Sequence, residues 1–132
     1  MVSCFDHEKL DVYKAAIKLT VLIDKIIEHL PRGKSYLADQ LQRAGSSVPL
    51  NIAEGAGEYS SSEKSRFYRM AKRSATECAG ILDVCLNLQL IEEKQYAEIR
   101  QLLLRIVSML IKMAQNSNQS GTGTHTGTGT FE

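Results

Sequence analysis

The spacing of apolar residues along the chain predicts four amphipathic helices. Over residues 9–30, apolar side chains recur at steps of three and four, which places them on one face of a helix. The same spacing returns in a second helix that starts after an N-cap at Ser35 and ends near Gly57, in a third that starts after the serines at 60–62, and in a fourth over residues 92–115. Helices joined by short connections pack as antiparallel neighbours. The pattern therefore predicts an all-α fold, an antiparallel up-and-down four-helix bundle.

Two of these helices carry more apolar surface than one core requires, since a core-facing stripe is about 100° wide. The extra apolar surface on the first and the fourth helix has two explanations. It is either deeply buried within the bundle or in contact with another copy of the chain. The first stripe of the first helix comprises Leu10, Tyr13, Ala16, Ile17, Thr20, Ile23, Ile27 and Leu30, and the second comprises Val12, Ala15, Leu19, Leu22 and Ile26. The fourth helix carries Tyr96, Ile99, Leu102, Leu103, Ile106, Leu110 and Met113, widened by Leu104, Val107 and Ile111.

The second helix contains residues with the least favourable helix propensity. Interior Pro costs about 3 kcal/mol and interior Gly about 1 kcal/mol relative to Ala, yet Pro49 and Gly55 both occur here. Pro49 cannot bond to the carbonyl of Gly45, which predicts a kink. Asn51 and Glu54 lie one turn apart, on the same side. Two roles stay open for this group: a polar network that fixes the kink, or contact with a ligand or partner.

The third helix combines a heptad of core positions with a basic face. Arg66, Arg69 and Arg73 fall within about 60° of one another, and Lys72 lies off that face. With Lys64, they make this the largest local charge excess of a chain whose net charge is only +1. Such a face is either solvated and paired with acids, or it contacts phosphate groups. The predicted core heptad is Phe67, Ala71, Ser74, Cys78, Ile81, Cys85 and Leu88.

The residues that metal sites and catalytic centres require are not arranged in any recognisable spacing. His7 and His29 are not preceded by Glu at the interval of a di-metal bundle, and no phosphate-binding loop or nucleophile motif occurs. Three cysteines without metal-ligand spacing indicate reduced core thiols. We therefore expect no metal, no cofactor and no enzymatic activity.

The end of the chain changes to alternating Gly and Thr. This composition predicts a disordered tail over 117–132, which contains His125, after a four-helix-bundle domain over 1–116. The first residues do not have the composition of a signal peptide, and no apolar run is long enough to span a membrane. The expected location is cytoplasmic.

Two segments of the chain carry a family resemblance. They are LQRAGSSVPLNIAEGAG at 41–57 and RFYRMAKRSATE at 66–77, accompanied by LDVY at 10–13. Over about residues 5–113, the chain resembles the four-helix-bundle proteins encoded in intervening sequences of 23S ribosomal RNA genes. The resemblance implies a ring, a homopentamer, in agreement with the wide apolar stripes.

Two functions stay open for such a ring, since most members of the family have no assigned function. The first is a nonenzymatic RNA-binding accessory protein, in which Arg43 joins Arg66, Arg69, Lys72 and Arg73 in a basic patch. The alternative follows from similarity in fold to the accessory proteins of diversity-generating retroelements: a protein-interaction scaffold that binds a reverse transcriptase. Glu58, where family members commonly carry a base, and the near-neutral charge argue against strong nonspecific RNA binding.

Overall fold

The computed structural model describes residues 2–122, with side chains up to residue 118, and within this part the chain forms four α-helices and no strand. Short 3₁₀ helices, Asp6–Lys9 and Arg32–Lys34, precede the first two. The four helices are α1 (Asp11–Glu28), α2 (Ser35–Gly57), α3 (Ser61–Asn87) and α4 (Glu93–Thr122). Each packs on the next helix in sequence, and α1 closes the bundle against α4. The predicted all-α four-helix bundle is confirmed.

One continuous core holds the helices together. Every helix contributes aliphatic side chains that are removed from solvent, and each such side chain stabilises the fold by roughly 1.5–3 kcal/mol. The largest fully buried ones are Leu19, Ile26, Leu41, Ile52, Leu82, Ile99, Ile106 and Leu110.

The core-facing side of α1 differs from the predicted one. Leu19 and Ile26, assigned to the second stripe, are fully buried in the core of their own chain. Ile17, assigned to the core stripe, is 41% exposed, and Val21 beside it is exposed as well. Contact with another copy is therefore not what buries the second stripe. The two stripes overlap on the helical wheel, and the positions of α2 and α4 decide which one faces inward.

The α2 helix starts and continues in ways that the sequence predicts only in part. Ser35 is its first residue and Lys34 occupies the N-cap position, so the predicted Ser35 cap is wrong. The 3₁₀ helix Arg32–Lys34 leads directly into α2 at Ser35. The helix then runs through Pro49 to Gly57, and Pro49 is buried within it.

The α3 helix starts at Ser61, within the predicted run of serines, and Ser60 is its N-cap. Ser60 Oγ accepts a hydrogen bond of 3.0 Å from the backbone N–H of Glu63, which satisfies one of the amide groups that a helix start leaves open. Of the predicted heptad, Ala71, Cys78 and Cys85 are buried with Ile81. Phe67 and Ser74 are half-buried, and Leu88 is exposed.

The α4 helix is longer than predicted. It continues beyond Gln115 to Thr122, so the predicted boundary between bundle and tail at 116/117 falls inside a helix. The rest of the predicted tail, 123–132 with His125, lies outside the described residues. Ile99, Ile106 and Leu110 are buried as predicted, whereas Leu104 is 54% exposed. Tyr96 Oη donates to Asp83 Oδ1 at 2.5 Å and links α4 to α3.

Two contacts fix how α2 and α3 pass each other. Ser74 Oγ donates to Ser47 Oγ at 2.8 Å, and further along, Lys64 Nζ donates to the carbonyl oxygen of Ala56 at 2.8 Å and of Gly55 at 3.3 Å. As residue numbers rise along α2 they fall along α3, so the pair is antiparallel. Lys64 also places a cation at the carbonyl-rich end of α2, where the helix dipole favours it.

Gly55 permits the close approach of these two helices. A Cβ atom at Gly55 would lie 2.8 Å from Tyr68 Cε1 and 3.0 Å from Phe67 Cβ, both closer than ordinary contact. Gly57 has open space around it, so no packing contact requires a glycine at that position. Gly55, which has a low helix propensity, is therefore required by the packing of α2 on α3.

Candidate functional site

The predicted basic face of α3 lies on the surface. Arg66, Arg69 and Arg73 are all exposed, and Lys72 is half-buried on a different side of the helix. Arg69 and Lys72 both take part in further interactions within the chain. Arg43, on α2, is exposed too. Since Arg43 lies one turn before Ser47, the antiparallel register places it level with the turn of α3 that follows Ser74.

Arg66 is held in place by its neighbours. Its Nη2 and Nε atoms donate to Glu63 Oε1 at 2.9 and 3.1 Å, and its guanidinium lies 4.6 Å from the centre of the Phe67 ring. The hydrogen bond to Glu63, followed by the charge of that carboxylate, raises the pKa of Arg66, and Glu58 and Glu54 add smaller contributions. Part of the charge of Arg66 is thus compensated on the surface.

A polar network joins α2 to α3 beside this face. Asn51 Nδ2 donates to Ser47 O and to Ser47 Oγ, each at 2.9 Å, and Ser47 Oγ also accepts the bond from Ser74. Asn51 is buried, which is uncommon for its residue type unless the amide is hydrogen-bonded. Ser46 has a different role, because its hydroxyl donates to the carbonyl of Arg43 at 3.3 Å.

Asn51 and Glu54 are separated by the structure. Asn51 points into the network between the helices, whereas Glu54 is exposed and acts on Arg66 through its charge. The amide of Asn51 bonds within the turn that begins at Ser47. Pro49 and Gly55, by contrast, are buried and serve packing. The four residues that the sequence groups around the kink therefore divide into one network member, one surface acid and two packing residues.

The network forms the floor of a groove between α2 and α3, which we call the α2–α3 groove. Its volume is about 380 Å³, within the range of small-molecule sites. One side of the groove carries Arg73, so it adjoins the basic face. The lining residues are Ser47, Asn51, Met70, Arg73, Ser74 and Glu77.

A second groove, between α1 and α2, has no basic side chain in its lining. Its volume is about 400 Å³, and Gly45 lies at its base because a Cβ there would come within 2.6 Å of Ile23 Cδ1. This groove is lined by Thr20, Val21, Ile23, Asp24, Ile27, Gln42, Gly45 and Ser46.

The thiols have no environment that would activate them. Cys78 and Cys85 are buried, and burial raises the pKa of both, that of Cys78 to about 12. Cys4 is half-buried. Across residues 2–122, no group of three or more His, Cys, Asp or Glu side chains is placed to hold a metal ion. The absence of enzymatic activity stays a prediction.

Sequence reasoning finds the arginine face and Asn51, but it does not find the groove. The sequence suggests Ser46 or Ser47 as a partner in the polar network at Pro49, but it gives Met70 and Glu77 no role and assigns Ser74 only to the core heptad. A usable signal exists, because a serine at a core heptad position needs a hydrogen-bond partner. Naming that partner requires the register of α2 against α3.

Comparisons with known proteins agree with the fold. The chain is similar to a protein with unknown function from the S23 ribosomal protein family of Bacteroides thetaiotaomicron VPI-5482, whose crystal structure matches with a TM-score of 0.73. The two are 22% identical, and the match covers 78% of this chain and 97% of the other. No curated protein matches the chain. Across the described helices, none is long and apolar enough to cross a membrane.

The family model described as 23S rRNA-intervening sequence protein matches residues 8–112. This range includes α2, α3 and their connection, and most of α1 and α4. The chain belongs to the family of 23S rRNA-intervening sequence proteins.

Proposed function

We propose that this protein is a nonenzymatic, oligomeric RNA-binding accessory protein of the 23S rRNA intervening sequence type. The observation that carries the proposal is the one-sided set of exposed arginines on α3, Arg66, Arg69 and Arg73. Arg43, exposed on α2, and Lys72, half-buried on a different side of α3, are further candidate contacts outside this face. Arginine suits the task because its planar guanidinium binds phosphate oxygens with two parallel hydrogen bonds.

The local charge, and not the total, supports this proposal. With a net charge of +1, the molecule exerts little general attraction on RNA. Over residues 63–73, five basic side chains stand against Glu63 alone, and Glu63 is bound to Arg66. In a ring, each copy adds its own patch, so the number of phosphate contacts multiplies with the number of subunits.

A salt titration of RNA binding tests the proposal. Each phosphate contact releases counterions, so affinity should fall steeply as salt rises, and replacing Arg66, Arg69 and Arg73 together by Ala should reduce the slope by about 2 per subunit engaged. The matched control replaces Lys14, Lys18 and Lys25 by Ala.

These three lysines are exposed on one face of α1, and their removal changes the total charge by the same amount. The control variant should keep the slope of the unmodified protein. No binding even at low salt contradicts the proposal, and an effect confined to the α1 variant contradicts its placement on α3.

The oligomer that we propose is a homopentamer. Exposed aliphatic side chains on two helices support self-association: Ile17 and Val21 on α1, and Leu104 on α4. Mass measurement by light scattering should give about five times the 14.7 kDa of one chain. A mass of one chain would contradict it, and Leu104→Glu should lower the mass if α4 lies in the interface.

A second candidate function is a scaffold that binds a reverse transcriptase of a diversity-generating retroelement. It is favoured by exposed apolar side chains: Leu50 on α2 is 61% exposed, and Met70 on α3, which contacts Arg66, is 37% exposed. Binding of the purified enzyme should be lost in Leu50→Glu while RNA binding persists. A genomic neighbourhood without a reverse transcriptase gene contradicts this candidate.

A further inference from the structure

The floor of the α2–α3 groove offers an unused donor and an unused acceptor next to each other. The side-chain nitrogen of Asn51 donates to Ser47 O and to Ser47 Oγ. Ser47 Oγ accepts that bond and the bond from Ser74, so its own proton is available. The bonds to Ser47 use the amide nitrogen of Asn51, so its Oδ1 is the acceptor that this network does not require.

The orientation of the Asn51 amide follows from chemistry. Ser47 O is a carbonyl oxygen and can only accept, so the amide nitrogen, and not the oxygen, must face it. The amide oxygen is therefore the atom left over.

We propose that the α2–α3 groove binds one unpaired RNA base and prefers adenine or cytosine to uracil, with Asn51 Oδ1 and Ser47 Oγ as the reading atoms. This inference rests on the proposed RNA binding and names the base that the same surface selects. Unpaired bases are the usual targets of sequence-specific RNA recognition, because their hydrogen-bonding edges are accessible.

The donor and acceptor of the floor match amino-bearing bases. Adenine and cytosine each place an exocyclic amino group beside a ring nitrogen that accepts. The amino group donates to Asn51 Oδ1, and the ring nitrogen accepts from the Ser47 hydroxyl. Uracil places carbonyl oxygens and a ring N–H at these positions, so an acceptor meets an acceptor and a donor meets a donor. A site whose buried polar groups are left unpaired rejects such a ligand.

The walls of the groove complete the site. Met70, whose sulfur also accepts a hydrogen bond of 3.5 Å from Arg66 Nη1, supplies its thioether and methyl group for the face of the base. Arg73 lies at the side of the basic face, where it reaches the phosphate that precedes or follows the base. Glu77 adds a second acceptor for an amino group and, by its charge, disfavours phosphate at its own side.

The test compares binding of short oligonucleotides of adenosine, cytidine and uridine to the full chain at one salt concentration. The unmodified protein should bind the adenosine and cytidine oligonucleotides at least about fivefold more tightly than the uridine one. Ser47→Ala removes the donor and should bring the three affinities within about twofold of one another. Arg73→Ala should weaken all three by the same factor.

Ser46→Ala is the matched control. Ser46 is the neighbouring serine on α2, and it lines the groove between α1 and α2 instead. This variant should keep the preference of the unmodified protein. Oligoadenosine stacks on itself, which affects its affinity for every variant equally. The test is therefore the difference in base preference between Ser46→Ala and Ser47→Ala. Equal preferences in the two variants overturn the inference.

A second measurement does not depend on the fold of any variant. In the unmodified protein, adenosine or cytidine monophosphate should shift the side-chain amide resonances of Asn51, whereas uridine monophosphate should leave them unchanged. Equal shifts with all three overturn the base preference but leave the proposed RNA binding intact. Absence of all RNA binding at low salt contradicts the proposed function itself.

Discussion

The close approach of α2 and α3 at Gly55 predicts that Gly→Ala has opposite effects on stability at Gly55 and at Gly80. Gly→Ala inside a helix gains up to about 1 kcal/mol from helix propensity alone. Gly80 is exposed within α3, and a Cβ there meets nothing within 4 Å, so Gly80→Ala should raise the free energy of unfolding by about 0.5–1 kcal/mol.

Gly55→Ala brings the same gain together with a clash. The new Cβ would lie 2.8 Å from Tyr68 Cε1 and 3.0 Å from Phe67 Cβ. The ring of Tyr68 is itself buried and cannot turn aside, so the helices must separate, and overpacking of this kind costs about 1–3 kcal/mol. Since the propensity gain is common to both variants, Gly55→Ala should be less stable than Gly80→Ala by that amount.

Urea unfolding followed by circular dichroism measures the difference, at equal concentrations of protomer because association adds to stability. Gly45→Ala gives an intermediate case. Its Cβ would lie 2.6 Å from the terminal methyl Cδ1 of Ile23 and at ordinary contact distances, 3.6 and 3.8 Å, from Cγ2 and Cγ1 of the same side chain, so only the end of that side chain must shift. If Gly55→Ala and Gly80→Ala unfold at the same urea concentration, the close approach of α2 and α3 does not limit the packing.

Three further predictions concern the ends of α2 and α3 and the thiols. Lys64→Met removes the ammonium bound to the last carbonyls of α2 and should cost about 1–2 kcal/mol in urea unfolding, whereas Lys64→Arg should recover part of the loss. Ser60→Ala removes the cap of α3 and should cost about 1 kcal/mol in the same assay, with Ser60→Asp close to the unmodified protein. In native protein, a thiol reagent should modify Cys4 and leave Cys78 and Cys85 untouched until urea unfolds the chain; equal rates for all three contradict their burial.

Local patterns predict those parts of the fold that depend on neighbouring residues. Ser60 is recognisable as a cap because Glu63 follows three residues later. The arginine face of α3 follows from helical geometry alone. The face of α1 is different, because Ile17 and Leu19 both belong to apolar stripes with helical spacing. Only the placement of the other helices makes Leu19 buried and Ile17 exposed.

The candidate site divides in the same way. Asn51 attracts attention in the sequence as a polar residue on a helix near proline, but its partners cannot be named from spacing alone. Ser47 is one turn away and could be found, while Ser74 belongs to another helix and 27 residues separate the two serines. The end of α4 also escapes prediction, since residues 117–122 carry no apolar periodicity and the helix continues through them.

The glycines that lower the helix propensity of α2 are explained by the two helices that pack against it, α1 and α3. Gly45 faces Ile23 of α1, and Gly55 faces Tyr68 of α3. The two glycines thus face two different neighbouring helices, ten residues apart along α2, and a groove lies against each neighbour. Only the groove against α3 combines a buried amide, Asn51, with an arginine at its edge. A side chain larger than glycine at position 55 would move α3 away from that amide, so the stability of the bundle and the geometry of the candidate site depend on the same contact.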